Sequence, residues 1–450
     1  MSSVAKYETA PLKCWNKAKQ LRMDYYENYR AAHEKTGLRC AGGAWTFDAI
    51  PAGLGNDVWG LASEPYGASI AWEKELAVEC QEAIEAKGYA RDLCSYLRNY
   101  CGSVLIDKWP KQFGGGPFPV PDFIWQDHIC CSHAKWYQTV SDLEGGLPQF
   151  TIDVAAGAYT DVVPGPWNEL PPHRLDYLVG QMHDGIEWLE QTTGRQYRDD
   201  LLIEAVKNDI MSTHLWAKIC ELNRHIPAPL EEKSMYSLYV LAVMMKARKE
   251  VVDFYEVLLE ETQERVDNNI AAVANERFRL MTDTQPPWGF LNIYRQMEKY
   301  GAISVGSLYT FGLVGAWEVK NDGSWGARTP PWEKGFEIED RDSALRAMAE
   351  WTLSRPEWAH FYNPHLKTAM MKKIVKEWHL DGVVLHYNRG CEGLSVGIAE
   401  NRLGLIEDGI SVLAYEGNMG DEREFDYERT MSRFDTWMDS HDLKIIAEDA

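Results

Sequence analysis

The sequence predicts two doubly wound α/β domains, each on a parallel sheet of the Rossmann/flavodoxin-like kind, joined by a helical segment. Three observations predict it. Apolar strand-like runs alternate with helical stretches over the first and last thirds of the chain, the pattern of strand–helix–strand units around a parallel sheet. Between them, residues 174 to about 275 read as almost continuous helix. The 450 residues also exceed one ordinary domain, for which roughly 100–200 residues is usual. The chain is accordingly divided into 1–165, an N-terminal helix plus the first α/β domain; 166–275, the helical connector; and 276–450, the second α/β domain.

Residues 11–35 have helical spacing, and "LRCAGGAWTF" reads as a strand running into a glycine turn. "ASIAWEKELAVECQEAIEAKG" (68–88) and "RDLCSYLRNYCGSVL" (91–105) are helical. "KQFGGGPFPVP" (111–121) is a loop by its Gly and Pro. Its triple glycine lacks the strand-to-helix setting of a dinucleotide fingerprint. "PDFIWQ" is a short buried strand, "DHICC" a turn, "SHAKWYQTVSDLEGG" a helix and "QFTIDVA" (149–155) a further strand. "VVPGPWNELPPHR" (162–174) breaks the rhythm before the helical middle. Alternation resumes with "RFRLMTD", "AISVGSLYT", "PHLKTAMMKKIVKEWHL", "DGVVLHYN", a helix after Cys391, "ISVLAYEG" and "FDYERTMSRFDTWMDSH".

Hydrophobic residues at 45% and charged residues at 25% are ordinary for a globular protein with large cores. The net charge of −22 argues against nucleic acid and anionic membrane surfaces as partners. The N-terminus has no apolar h-region. The longest apolar stretch, "MYSLYVLAVMM" (235–245), is too short to span a bilayer. A cytoplasmic location follows as the expectation. There the nine cysteines, at 14, 40, 80, 94, 101, 130, 131, 220 and 391, stay reduced.

Most of these thiols are expected to be small buried hydrophobes, but three places differ. Cys391 follows "DGVVLHYNRG" and precedes a helix; Cys130 and Cys131 follow "PDFIWQDHI"; Cys94 stands at a helix start. Ligands of open α/β sheets bind beyond the carboxyl ends of the strands, and helix N-termini favour thiolates. A site in the cleft between the domains is predicted. The residues leave its chemistry open among inert thiols, an iron–sulfur cluster, zinc and a nucleophile. Close C-x2-C pairs that zinc favours are absent. His128, His133 and Asp127 flank the cysteine pair as weak candidates for proton transfer, and His386 lies near Cys391. Glu416 and Asp421, in "YEGNMGDEREFDYERT", read as surface or helix-start groups. A P-loop is absent, so ATP is not expected to be used by this chain.

"YARDLCSYLR", "VPDFIWQDHICCSHAKWY", "HYNRGCEGLSVG" and "YEGNMGDEREFDYERTMSRFDTWM" resemble the motifs of the benzoyl-CoA reductase / 2-hydroxyacyl-CoA dehydratase family. The likeness covers most of the chain, including the helical middle and "TQPPWGF" (284–290). "LRCAGGAWTFDAIPAGLG", "EPYGA" and "ICCSH" look closest to a subunit of ATP-dependent benzoyl-CoA reductase. The resemblance implies one [4Fe–4S] cluster held by Cys94, Cys130 and Cys391, with Cys131 as the alternative to Cys130. It implies a related catalytic subunit, an ATP- and Mg-using iron–sulfur activator, and a ferredoxin as upstream donor. The implied reaction is reduction of an aromatic acyl-CoA ring to a cyclic dienoyl-CoA. The alternatives it leaves are radical dehydration of a 2-hydroxyacyl-CoA, and a non-catalytic relay or scaffold subunit of the same complex. The cysteine framework is common to both activities and cannot separate them.

Overall fold

Apolar runs rich in Val, Ile, Leu and Phe form parallel strands where both sheet faces are covered, and the chain builds two such sheets. The computed structural model describes residues 5–43, 48–154, 172–355 and 363–446. The first sheet holds β1 (Leu38–Gly42), β2 (Val58–Ala62), β3 (Phe123–Asp127) and β4 (Gln149–Ile152) in the order β2-β1-β3-β4. All its pairings are parallel, from Leu38 opposite Val58 to Asp127 opposite Ile152. The second begins with β5 (Phe278–Thr282) and β6 (Ala302–Ser307). After a small antiparallel ribbon of β7 (Trp317–Val319) and β8 (Trp325–Ala327), it is completed by β9 (Gly382–Asn388) and β10 (Ser411–Gly417). Its order is β10-β9-β5-β6, again all parallel. The predicted α/β class, with two parallel sheets, is what the chain adopts.

Two elements differ from the sequence reading. β2 is a strand where "VWGLA" gave no signal, because Gly60 weakens the pattern. An ideal Cβ there would make an ordinary contact with Cys40 Sγ at 3.5 Å. The single helix expected over 68–88 is two helices, Ser63–Ile70 and Lys74–Ala86. The chain turns between them at Glu73, whose carboxylate accepts the N–H groups of Lys111 (3.1 Å) and Gln112 (2.9 Å). Residues 155–171 lie outside the described set, and with them most of the break read at 162–174 and the boundary at 165.

Four helices, Pro172–Thr193, Asp199–Leu222, Glu232–Met245 and Lys249–Asp267, form the middle. The first packs on the first sheet so tightly that a Cβ on Gly185 would lie 2.6 Å from Trp125 Cη2. The second reaches the other sheet: Trp216 Nε1 donates to Thr310 O (2.8 Å), and just beyond it Asn223 Nδ2 donates to Val305 O (2.8 Å). The third carries Glu232, fully buried. Its carboxylate accepts from Tyr236 and Ser304, from Thr282 (2.5 Å) and from Tyr294 (3.1 Å), so the buried charge is satisfied by hydroxyls. No described helix is long and apolar enough to cross a membrane.

Two further ties close the molecule. The N-terminal segment crosses to the start of the second half: Tyr7 N–H donates to Ala274 O (2.9 Å), Ala271 N–H to Glu8 O (2.8 Å), and Cys14 N–H to Glu261 (2.9 Å). At the junction of the sheets, the guanidinium of Arg98, with its side chain fully buried, bridges Glu85 (3.0 Å) and Asp421 (2.9 Å). Gln81 Nε2 donates across the same seam to Gly420 O (2.7 Å). Asp421, read from sequence as a surface or helix-start group, is buried, although it also caps the short turn Glu422–Glu424 through Arg423 N–H.

Removing one partner from a buried ion pair costs about 3–5 kcal/mol. The Asp421→Ala chain should therefore unfold at lower denaturant than the wild type, by about 3 kcal/mol at unchanged m-value, in an equilibrium urea titration.

Candidate functional site

The carboxyl ends of both sheets meet at the Arg98 junction, and the cysteines singled out in the sequence lie there. Cys94 is the N-cap residue of helix Ser95–Leu105, and Cys391 the N-cap residue of the short helix Glu392–Ser395 after β9. Cys130 follows β3 and precedes helix His133–Leu143. The turn bearing Cys391 sits directly on the helix start bearing Cys94. A Cβ on Gly390 would lie 2.7 Å from both Ser95 Oγ and Asn418 Oδ1, so only glycine permits this approach.

The sulfurs of Cys94, Cys130 and Cys391 feel one another. Burial and then Cys391 push the Cys94 thiol up to about 12, while the N–H groups of Leu97 and Tyr96 pull it down. Burial raises the Cys391 thiol, opposed by the Leu394 N–H and the Gln285 side chain, whose Nε2 lies 3.6 Å from the sulfur. Cys130 is held well above its usual range by its hydrogen bond with Cys131 and by burial, then by Cys391 and Cys94, against the His133 N–H. Each sulfur thus has an N–H dipole ready to stabilise a thiolate, and at Cys391 the Lys367 ammonium pulls the same way, but burial prevails at all three. The expected metal-binding group of Cys94, Cys130 and Cys391 needs correcting. Among the described residues no three His, Cys, Asp or Glu side chains are grouped closely enough to hold a single metal ion. Zinc, which takes thiolates at ~2.3 Å, has no site here. Soft thiols with N–H donors in an apolar setting do suit an iron–sulfur cluster, whose several irons spread its thiolates more widely than one ion does.

Cys131 is exposed, and its sulfur reaches to 4.0 Å from Glu392 Oε2, beside Cys391. His133 is buried, with Nδ1 2.9 Å from Cys130 Sγ and Nε2 bonded to Glu64 Oε1. Burial pulls this imidazole down in pKa, but the Glu64 carboxylate, then Asp127 and Cys131, leave it raised overall. Glu64, 3% exposed, lies two residues past β2; its Oε2 has no hydrogen-bond partner. Asp127 is buried at the end of β3, and burial lifts its carboxyl to about 7. His128 is half-buried, and its N–H pairs with Ile152 O (3.0 Å), which extends the sheet. The structure thus brings together Cys94, Cys130, Cys131, Cys391, His133 and Asp127, and adds Glu64 and Gln285.

The Cys391 turn is held from below. Lys367, fully buried, donates to Asp283 (3.2 Å) and to Leu394 O (2.6 Å); Asp283 in turn accepts the His386 N–H (2.8 Å). His386 Nδ1 bonds Gln285 O (2.8 Å), and burial lowers its pKa to about 4, so it stays neutral there. Asn388 Oδ1 accepts from Gly390 N–H (3.0 Å) and Met419 N–H (3.1 Å), tying the loops after β9 and β10 together. Glu416 is exposed and pairs with Arg389 (2.8 Å), a surface role as read.

A family profile described as "2-hydroxyglutaryl-CoA dehydratase, D-component" matches residues 45–440. The chain belongs to this family. It is 24% identical over 409 residues to the (R)-2-hydroxyisocaproyl-CoA dehydratase alpha subunit of Clostridioides difficile, covering 87% of each chain. It is 24% identical over 368 residues to the (R)-phenyllactyl-CoA dehydratase alpha subunit of Clostridium sporogenes, covering 80% of each. To the (R)-2-hydroxyglutaryl-CoA dehydratase, subunit alpha, of Acidaminococcus fermentans it is 23% identical over 337 residues, 72% of this chain and 62% of that one. These findings overturn the benzoyl-CoA reductase and oxidoreductase readings, since the profile and the relatives all carry dehydratase names. The motifs that pointed to the reductase lie in a framework common to both activities. The dehydratase-family chain is an enzyme subunit.

Two outcomes test this geometry. Gly390→Ala should lower stability by about 1–3 kcal/mol through overpacking against Ser95 and Asn418, read from the denaturant midpoint. Asp127 binds its proton up to about pH 7 when folded and only to 3.8 otherwise, so ionisation costs the folded state stability as pH rises through that window. Asp127→Asn should flatten the fall in urea midpoint between pH 4 and 7.

Proposed function

We propose that this chain is the iron–sulfur subunit of a 2-hydroxyacyl-CoA dehydratase, a lyase that removes water from an acyl thioester. The observation that carries it is the meeting of Cys94, Cys130 and Cys391 beside Glu64 and His133 in a chain of this family. Cys94 and Cys130 come from the first α/β part and Cys391 from the second, the division at 1–165, 166–275 and 276–450 belonging to the same reading. These three thiols would hold one [4Fe–4S] cluster, with Cys131 the alternative to Cys130. When bound, such a cluster supplies single-electron chemistry at low potential.

The chain's own residues have three tasks. Tyr96, Tyr236 and Trp288, all buried, exclude water from the site. Glu64 Oε2, free of protein partners, is placed to hold or take a substrate proton. His133 orients Glu64 through Nε2 and contacts Cys130 through Nδ1, so the proton-handling group is fixed relative to the thiols. The partners in this reading are a related catalytic subunit, an ATP- and Mg-using activator and a ferredoxin; electrons return at each turnover, so demand for them is catalytic only.

Purified without oxygen, the wild-type chain should hold ~4 iron and ~4 acid-labile sulfide, and Cys391→Ser should lose most of both. A colourless, iron-free wild type would overturn the reading. Glu64→Gln should keep its iron while dehydration of (R)-2-hydroxyacyl-CoA, with activator and partner supplied, falls about 10²–10⁴-fold, the range for a lost general acid–base.

A further inference from the structure

A cavity of about 80 Å³ lies between β1, β2 and the link from helix Glu232–Met245 to helix Lys249–Asp267. One water needs ~10–15 Å³ of such space, and a cavity of ~150 Å³ holds benzene. This one therefore suits a group of a few heavy atoms. Gly42, Gly43 and Gly60 leave part of its lining without side chains. A Cβ on Gly60 would meet Cys40 Sγ at 3.5 Å and nothing else within 4 Å. On the side of the candidate site, a Cβ on Gly43 would lie 3.3 Å from Asp127 Oδ2.

Three of the lining side chains are donors in want of an acceptor. Trp125 is 4% exposed, and its indole Nε1 has no partner. Tyr25, 2% exposed, accepts from Ala62 N–H (2.6 Å), which leaves its own O–H proton without an acceptor. Burial holds this phenol far above its usual pKa, so the proton stays on. Arg248 donates through Nη2 to Val58 O (2.8 Å), with its Cζ 3.8 Å over the Trp59 ring. Its guanidinium keeps its charge, yet among the described residues no carboxylate pairs with it, and Glu250 acts on it only from a distance. Asp48 also lines the cavity, but its Oδ2 is taken by the buried Lys246 ammonium (2.7 Å). One cation is thus left over, in a chain whose net charge is −22. Buried donors left unmet are costly, and so is a cation shielded from water. A carboxylate answers all three, because it only accepts, offers about four lone-pair sites and fits the guanidinium fork.

We propose that this cavity is a binding site for a small carboxylate group, held by Arg248 together with Tyr25 and Trp125. Such a group has two sources, a free acid or the far end of an acyl thioester's chain, and the second source alone rests on the dehydratase reading. Isothermal titration of the full chain, purified without oxygen, separates them with three probes: acetate, glutaryl-CoA and pentanoyl-CoA. The two thioesters differ by the terminal carboxylate. A site for free acid should bind acetate with a Kd of about 1 mM and treat the thioesters alike. A site for the chain end should bind glutaryl-CoA about tenfold tighter than pentanoyl-CoA. Arg248→Met, which keeps an apolar stem over Trp59, and Gly60→Val, which fills the cavity with a side chain suited to a strand, should each abolish the acetate heat or the glutaryl preference at unchanged iron content. No acetate binding together with equal thioester affinities means a cavity that holds only water and overturns the proposal. So does binding of either kind that survives in whichever variant folds. A chain that holds no iron but binds acetate overturns the dehydratase reading and leaves this site standing.

Discussion

Arg98 is the group on which the site depends. A guanidinium cannot shed its proton, so its burial is tolerable only with anions in place. Glu85 supplies one from the preceding helix, and Asp421 the other from the loop after β10. Because Arg98 lies one turn beyond Cys94, satisfying its charge fixes the helix start against the second sheet. The Gly390 approach and the Gln81 bond to Gly420 then set the remaining spacing. The relation between Cys94 and Cys391 is in this sense a by-product of neutralising one buried cation.

The same logic runs through the interior. Glu232, Asp283 and Lys367 are buried charges, and each is met by hydroxyls, an opposite charge or backbone groups. Such networks are rigid because an unsatisfied member is costly. They lie under the elements that carry the site: Lys367 beneath the Cys391 turn, Glu232 beside Tyr236 and Tyr294. Glu64 and Asp127 differ, because each has a buried carboxylate oxygen left unmet.

Much of this was legible in the sequence for local reasons. β3 and β9 are uninterrupted apolar runs ending in turns, so the strand–turn–helix settings of Cys130 and Cys391 could be read directly. β2 could not, because Gly60 hides it, and with it went Glu64, two residues past the strand. The roles of Tyr96, Gln285 and Glu232 arise from contacts between segments tens to hundreds of residues apart, which leave no periodic trace. The choice between reductase and dehydratase was out of reach for a different reason: both chemistries place thiols at these three positions, so the cysteines carry no information about it.

The N-terminal strap has a consequence for how the chain comes into being. Residues 7 to 14 bond to residues 261 to 274, so this strap reaches its place only once the end of the helical middle is available. The first helix has earlier cover, since Tyr26 stacks on Phe113 and Tyr29 donates to Pro119 O (3.0 Å), but the long-range contact makes closure of the strap slow. The strap is thus among the last parts to reach its place, and a product that stops within the helical middle would leave it loose for cellular quality control to find.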